Sequence, residues 1–427
     1  MKVAFYTLGC KVNQYETQML KEAFQINGFT VTAEYNSADV IVINSCTVTA
    51  ESDRKTRQAV RHYKSLNNAV IVLCGCMPQA FKESADQLSE ADIVTGNTDT
   101  QSIPLLVKDF IENKKRILKV NNHAKDEIFN TPLIRSFDER TRAFMKIEDG
   151  CERYCTYCII PKARGFVRSK SIEEIKEEAR FLSESGFCEI VLVGINLSAY
   201  GKDNGLTLLD AVKAVCSISK IKRVRLGSLE PDHMTNEMLK GLSEEEKFCP
   251  QFHLSLQSGC DNTLMRMNRH YDTAFYRDLV NRIKNTFENA SITTDIMVGF
   301  AGETEEDFKK SVNFLKEICF AKAHVFAYSR REGTAAYNYK NQIDKKTKSL
   351  RSKIMIEAAN YCEKQFLASQ IGKTVSVLFE TEEDGYNYGY SENYSRVKLK
   401  HASSLQGQIL KVKIIAAEND CLIAEEV

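Results

Sequence analysis

Six short β-rich runs, at 144–147, 190–193, 224–226, 252–256, 292–298 and 323–326, recur through the middle of this chain, most followed by a helical pattern. That alternation constrains the fold more than any other feature, because strands separated by helices pair in parallel through crossover connections. Two helix starts are marked by Ser171 with Glu174 and Thr304 with Asp307, the spacing at which hydroxyl and carboxylate satisfy free backbone N–H groups. Six consecutive units predict an α/β fold built on an open parallel barrel, smaller than the closed eight-stranded one. Chemistry in such barrels gathers at the carboxyl ends of the strands.

Cys151, Cys155 and Cys158 fall at that end, starting four residues after the first run. Thiolates crowded into one loop suit iron–sulfur or zinc ligation. Zinc wants a fourth ligand nearby, and ferredoxin-type runs supply four cysteines. Here there are three, and Ile159-Ile160-Pro161 offers no other. A four-iron cluster on these thiolates would keep one iron open. The plain alternative is a surface loop with unrelated cysteines.

Residues 1–125 also alternate strand and helix signals, with β-rich runs at 3–8, 40–44 and 70–74 and a helical stretch at 14–26 carrying Met19, Leu20, Ala23 and Phe24 on one face. The polar stretch 121–136 reads as a linker before a unit spanning 137–370, whose last part, 344–370, is one long helix. From 371 to 427 the pattern changes to short strands at 374–380, 386–390, 396–400 and 409–415, divided by Gly, Asn and Asp turns, which predicts a small all-β barrel. Fourteen cysteines would suit disulfides in a secreted chain, but the amino terminus opens directly on a strand, so reduced cytoplasmic thiols fit better. No apolar run approaches the ~20 residues needed to span a membrane. A net charge of +1 leaves any nucleic-acid contact to local patches.

Cys10, Cys46 and Cys76 each lie two residues beyond the end of a predicted strand. In an open parallel sheet those ends share one edge, where ligands bind. Singly each is more readily a packing cysteine; the repeated offset favours convergence on a second metal centre. Cys74 ends an apolar run and is expected to point into the sheet.

The CxxxCxxC spacing, with Tyr157 before the last cysteine, resembles the radical S-adenosylmethionine (SAM) superfamily, in which the open iron chelates SAM. With Thr7-Leu8-Gly9-Cys10-Lys11-Val12-Asn13, Asn44-Ser45-Cys46-Thr47-Val48-Thr49, Gly75-Cys76-Met77 and Phe144-Met145-Lys146-Ile147-Glu148-Asp149-Gly150-Cys151, the whole chain resembles the radical SAM methylthiotransferase family. The tail then corresponds to an RNA-binding TRAM domain. Arg223-Val224-Arg225-Leu226-Gly227-Ser228-Leu229-Glu230-Pro231 and Leu256-Gln257-Ser258-Gly259-Cys260 look most like the branch acting on N6-threonylcarbamoyladenosine 37 of tRNA. Ala301 stands where the family usually has proline.

The resemblance implies two [4Fe-4S] clusters, one on Cys151, Cys155 and Cys158 that cleaves SAM and an auxiliary one on Cys10, Cys46 and Cys76 that carries sulfur. It also implies a tRNA anticodon stem-loop as substrate, a reductant such as flavodoxin or ferredoxin, and a sulfur donor. Sister branches modify isopentenyl-adenosine 37 or a ribosomal-protein aspartate. A reading of a different class is a two-cluster electron carrier or RNA-binding iron–sulfur protein.

Other candidates are less specific. Tyr157, Gly194, Asn196 and Gln257 sit where the superfamily resemblance implies that SAM is held, with a loop turn or a polar core contact as the plain alternative for the last three. Arg164, Arg168, Lys170, Arg266, Arg269, Arg330 and Arg331 fall in barrel loops; singly each reads equally as a solvated charge, and their clustering favours contact with RNA phosphates. Tyr386, Tyr388, Tyr390 and Tyr394 recur largely at period two, which predicts packing against a core more than base stacking. His253 and His324 lie within strand patterns and read as structural.

Overall fold

The computed structural model describes residues 1–137 and 141–427. Its amino-terminal part is a six-stranded, all-parallel sheet. The strands run across it in the order Thr30–Val31, Lys2–Thr7, Val40–Ser45, Val70–Gly75, Ile93–Thr95 and Ile117–Lys119. The central pair is fully buried along its length, as β-branched runs are when helices cover both faces of a parallel sheet. Helix Lys11–Ile26 turns Tyr15, Met19, Leu20 and Phe24 into a core that continues without a break into the barrel. Helix Ala50–Leu66, capped by the Thr49 side chain accepting from Ser52 N–H at 3.1 Å, covers the other face.

The barrel strands are Ala143–Lys146, Glu189–Val193, Arg223–Leu226 with Ser228–Leu229, Gln251–Leu254, Ser291–Val298 and Lys322–Ala327, all parallel and in chain order. All six expected units are present. The third strand breaks at Gly227, so the curve is a three-stranded and a four-stranded sheet meeting there. Both expected capping boxes form, at Ser171 and Thr304, and a third at Thr207 with Asp210. Helix Lys345–Ala368 packs against the last strand, shielding an edge that would otherwise invite pairing.

The tail is a closed five-stranded barrel in the order Thr374–Glu383, Tyr386–Ser391, Arg396–Lys400, Cys421–Glu426 and Ile409–Glu418. Four strands match expectation; the fifth follows a tight Asn419-Asp420 turn that leaves little punctuation to read. The tyrosines depart from expectation. On Tyr386–Ser391 it is Asn387, Gly389 and Ser391 that are buried, while the tyrosines lie on the outer face, half-exposed. Valines and leucines of the neighbouring strands fill the small interior. The tail docks on the amino-terminal end of the barrel strands through Arg223, donating to the Tyr390 carbonyl at 3.0 Å, and Arg225, donating to the Glu392 carbonyl at 3.0 Å. No helix among the described residues is long and apolar enough to cross a membrane.

Candidate active site

The loop after the first barrel strand is folded by its own backbone. Gly150 adopts φ +91, and a Cβ there would lie 1.8 Å from the Phe166 carbonyl oxygen, so only glycine lets the strand pass into the cysteine turn. Cys151 N–H donates to the Gly165 carbonyl at 3.0 Å and Cys158 N–H to the Cys155 carbonyl at 2.9 Å, and the three thiols lie within electrostatic range of one another. Thr156 ties the loop across the barrel mouth, its N–H to the Met267 carbonyl at 3.0 Å and its hydroxyl to the Arg266 carbonyl at 2.8 Å. Arg269, held by Glu230 and by the Tyr271 hydroxyl at 3.1 Å, donates to Cys155 Sγ at 3.2 Å.

The second triad assembles from separated strand ends. Cys46 and Cys76 are buried and Cys10 is exposed. The thiols lie within electrostatic range of one another, Cys10 with Cys46 and Cys76 with both. A Cβ on Gly9, at φ +126, would stand 3.0 Å from Cys46 Cβ, so glycine lets these two loops close together. Cys74 is in the core, its thiol donating to the Ile43 carbonyl at 3.6 Å.

Arg164 joins the two triads. It follows Cys158 by six residues, is fully buried, and donates to Cys76 Sγ at 3.2 Å and to Glu16 Oε2 at 3.0 Å. Asp149, 3.5 Å from the same guanidinium and 2.6 Å from the Lys146 ammonium, is thereby held well below the usual carboxylate range despite its burial. Arg331 makes a second tie, from the last barrel loop to Thr47 Oγ1 at 2.8 Å and Asp53 at 2.7 Å, just past Cys46.

Both donor sets fit iron–sulfur clusters. No group of three or more Cys, His, Asp or Glu among the described residues closes on a single metal ion. A cubane places its thiolates on different irons, so its ligands stand further apart than those of one ion. Burial pushes the Cys76 and Cys151 thiols up to about 12, a cost that coordination removes because a metal-bound thiol is deprotonated outright. The arginine N–H on one sulfur of each set is the kind of contact that stabilises cluster thiolates.

Around the barrel mouth, buried acceptors lack partners. Asn196 Oδ1 and Gln257 Oε1, two residues expected to meet SAM, each have none. Gln257 sits at φ +66, a strained conformation for this side chain that clusters at binding sites. Gly194 has no room for a Cβ, which would fall 2.5 Å from Glu148 Oε2. Glu148, whose role sequence reasoning missed, is buried, accepts from Asn196 N–H at 2.7 Å through Oε2, and leaves Oε1 unpaired. Burial, then the adjacent Asp149, raises its pKa well above the usual carboxylate range. Tyr157 packs edge-on against Phe300 at 6.3 Å.

Most of the loop cations expected to meet RNA are instead internal. Arg164 and Arg269 serve the cysteines. Arg168 donates to the Arg164 and Phe166 carbonyls at 3.0 Å each, Lys170 pairs with Glu178, and Arg331 with Asp53, all of them buried. These five are corrected from phosphate contacts to structural anchors. Arg266 is half-buried against Asp307 at 3.2 Å, and Arg330 is exposed.

The radical SAM superfamily model matches residues 145–315, and the uncharacterised protein family UPF0004 matches residues 2–96. The threonylcarbamoyladenosine tRNA methylthiotransferase MtaB of Bacillus subtilis is 36% identical over 425 residues, covering 97% of this chain and 94% of that one. Its counterpart from Aquifex aeolicus is 37% identical, covering 97% and 100%. The chain belongs to the radical SAM methylthiotransferase family. Its cofactors accordingly include an iron–sulfur cluster and SAM. A Clostridium botulinum relative, a tRNA-2-methylthio-N(6)-dimethylallyladenosine synthase, is 32% identical and covers 99% of this chain and 96% of that one. Among solved structures, the radical SAM methyltransferase TsrM of Kitasatospora setae shares the fold, with a TM-score of 0.58 at 12% identity over 78% of this chain and 76% of that one.

In this methylthiotransferase the inward faces of the last three barrel strands border a hollow. His253, Thr293 and His324 line a cavity of about 390 Å³ bordered by Tyr390 and Tyr394 of the tail and by Lys11. His253 Nδ1 lies 3.0 Å from Thr293 Oγ1, its Nε2 lies 3.4 Å from Asp295, and the His324 ring is 6.0 Å away. The two histidines, read from the sequence as structural, thus stand on a cavity wall. On the tail's outer face Arg396 lies over Tyr388 at 4.9 Å and Lys398 over Tyr386 at 5.3 Å.

Proposed function

We propose that this enzyme converts N6-threonylcarbamoyladenosine at position 37 of tRNA into its 2-methylthio derivative, in the cytoplasm, using two [4Fe-4S] clusters. The observation that carries the reading is the tie made by Arg164, which sets the dispersed cysteines against the cysteine loop of the barrel. The relatives named for threonylcarbamoyladenosine, at 36–37% identity against 32% for the dimethylallyl synthase, favour that substrate.

Cys151, Cys155 and Cys158 would hold the SAM-binding cluster, and Cys10, Cys46 and Cys76 the auxiliary one. When bound, these groups supply one-electron cleavage of SAM and a sulfur source, chemistry that side chains lack. The chain does the rest. Arg269 and Arg164 stabilise the thiolate charge at Cys155 and Cys76. Glu148, Asn196 and Gln257 present their unpaired oxygens to polar groups of SAM, with Gly194 clearing the approach and Tyr157 closing the side beside Phe300. The buried mouth keeps water from a reactive radical. Aromatic–cation pairs on the tail, with exposed Arg330, suit single-stranded RNA of an anticodon loop. A reductant of the flavodoxin or ferredoxin kind and a sulfur donor complete the turnover. The domains are assigned as 1–125, 137–370 and 371–427.

Nucleoside mass spectrometry on tRNA from a strain lacking the gene tests this. Loss of 2-methylthio-N6-threonylcarbamoyladenosine with accumulation of the unthiolated nucleoside is expected. Loss of the methylthio-isopentenyl nucleoside instead would move the chain to the sister branch.

A further inference from the structure

The cavity between the barrel strands and the tail carries a charge that its walls do not answer. Of the other cations lining it, Lys322 pairs with Glu363 at 3.1 Å and Arg396 with Asp420 at 3.8 Å. Lys11 is different. Its ammonium lies 5.8 Å from the centre of the Phe144 ring, and among the described residues it has no carboxylate partner. Nearby Arg142 and Arg225 add to the positive field, each already engaged, Arg142 with Glu380 at 2.5 Å and Arg225 with Glu189 at 3.0 Å. An anion entering the cavity would therefore meet one free ammonium in a cationic surround.

The rest of the wall suits a nucleobase. The His324 imidazole offers a hydrogen-bonding edge beside the His253–Thr293 pair, whose own contact orients the His253 ring. The Tyr390–Tyr394 pair, stacked at 4.6 Å, also lines it. A volume of 390 Å³ lies within the range of small-ligand pockets. A backbone phosphate is the other source of negative charge, but phosphates are ordinarily met by several cations on an open surface, not by one ammonium in a recess.

We propose that Lys11 is a specificity-determining residue, pairing with the carboxylate on the N6 substituent of the target adenine while the base lies against the His253–His324 wall. This rests on the substrate reading given above. It also assigns discrimination to the start of helix Lys11–Ile26, beside Cys10, instead of to the arginines of the barrel loops.

The test is the binding of anticodon stem-loop oligonucleotides to the anaerobic holoenzyme, measured by fluorescence anisotropy. The oligonucleotides differ only at N6 of the target adenine: threonylcarbamoyl, its methyl ester, or no substituent. The unaltered enzyme should bind the acid about tenfold more tightly than the ester, the scale of a charge-assisted hydrogen bond in a partly wet site. Lys11→Met should bind acid and ester alike, at the affinity the unaltered enzyme has for the ester, and Lys11→Arg should retain most of the preference. An acid-over-ester preference that survives in Lys11→Met overturns the proposal. So does an equal weakening of all three oligonucleotides, which would place a phosphate at Lys11. If the unaltered enzyme favours acid over unsubstituted adenine but binds the ester as well as the acid, the Lys11 inference alone fails. If it binds all three equally, the substrate reading fails first. Because Lys11 adjoins Cys10, iron is quantified in each preparation. The ester comparison needs no variant and stands whatever the substitution does to the cluster.

Discussion

Cys151, Cys155 and Cys158 lie on one loop whose own backbone hydrogen bonds gather them, whereas Cys10, Cys46 and Cys76 come from three strand ends and meet only because the parallel sheet aligns them. Each set has one sulfur held by a buried arginine, and each arginine is held by a glutamate far away in sequence, Arg269 by Glu230 and Arg164 by Glu16. The chemistry is alike, but the support is not. The local set can form once its loop and the barrel mouth are in place. The dispersed set depends on the whole sheet and on Arg164, which the barrel contributes.

That contrast can be broken from either side. The largest effect is expected from replacing Cys151, Cys155 and Cys158 together with alanine. SAM cleavage should vanish, and iron should fall from roughly eight atoms to four, given cubane clusters. Persistent 5′-deoxyadenosine formation in this variant would remove the barrel assignment. Next is Arg164→Met, which leaves Glu16 and Asp149 short of a buried partner. Breaking such a pair costs ~3–5 kcal/mol, so the denaturation midpoint should drop. Iron should be lost first from the dispersed set, read as a fall toward half occupancy while SAM cleavage continues. Arg164→Lys should restore stability better than iron, since one ammonium cannot replace a guanidinium that contacts Cys76 and both Glu16 oxygens. The smallest effect is expected at Cys74→Ala. This thiol is buried in the core and donates to the Ile43 carbonyl, so a loss of about 1 kcal/mol with unchanged iron is predicted. An iron loss equal to that of Cys76→Ala would exchange the roles of the two cysteines.

The same contrast explains which features are legible in the sequence. Cys151, Cys155 and Cys158 announce themselves by spacing, and the dispersed cysteines by a common offset from β-rich runs, because both signals are local. The six barrel units and two capping boxes were legible for the same reason. Arg164, Arg168 and Arg269 were not: a cation in a loop reads as solvated, and its burial depends on partners such as Glu16, 148 residues earlier in the chain. Glu148 hides inside a motif whose cysteine draws the attention. His253 and His324 alternate as core residues do, yet the open barrel leaves that face hollow. The tyrosines of Tyr386–Ser391 alternate too, but period two cannot say which face of a small barrel is inside.

The division of labour between the two sets is tested most directly by the triple variant Cys10→Ala, Cys46→Ala, Cys76→Ala, assayed anaerobically with SAM, reductant and threonylcarbamoylated tRNA. Half the iron should remain, 5′-deoxyadenosine should still form, and no 2-methylthio nucleoside should appear by mass spectrometry. Methylthiolated product from this variant would contradict the account, showing that Cys10, Cys46 and Cys76 are packing residues and that one cluster suffices.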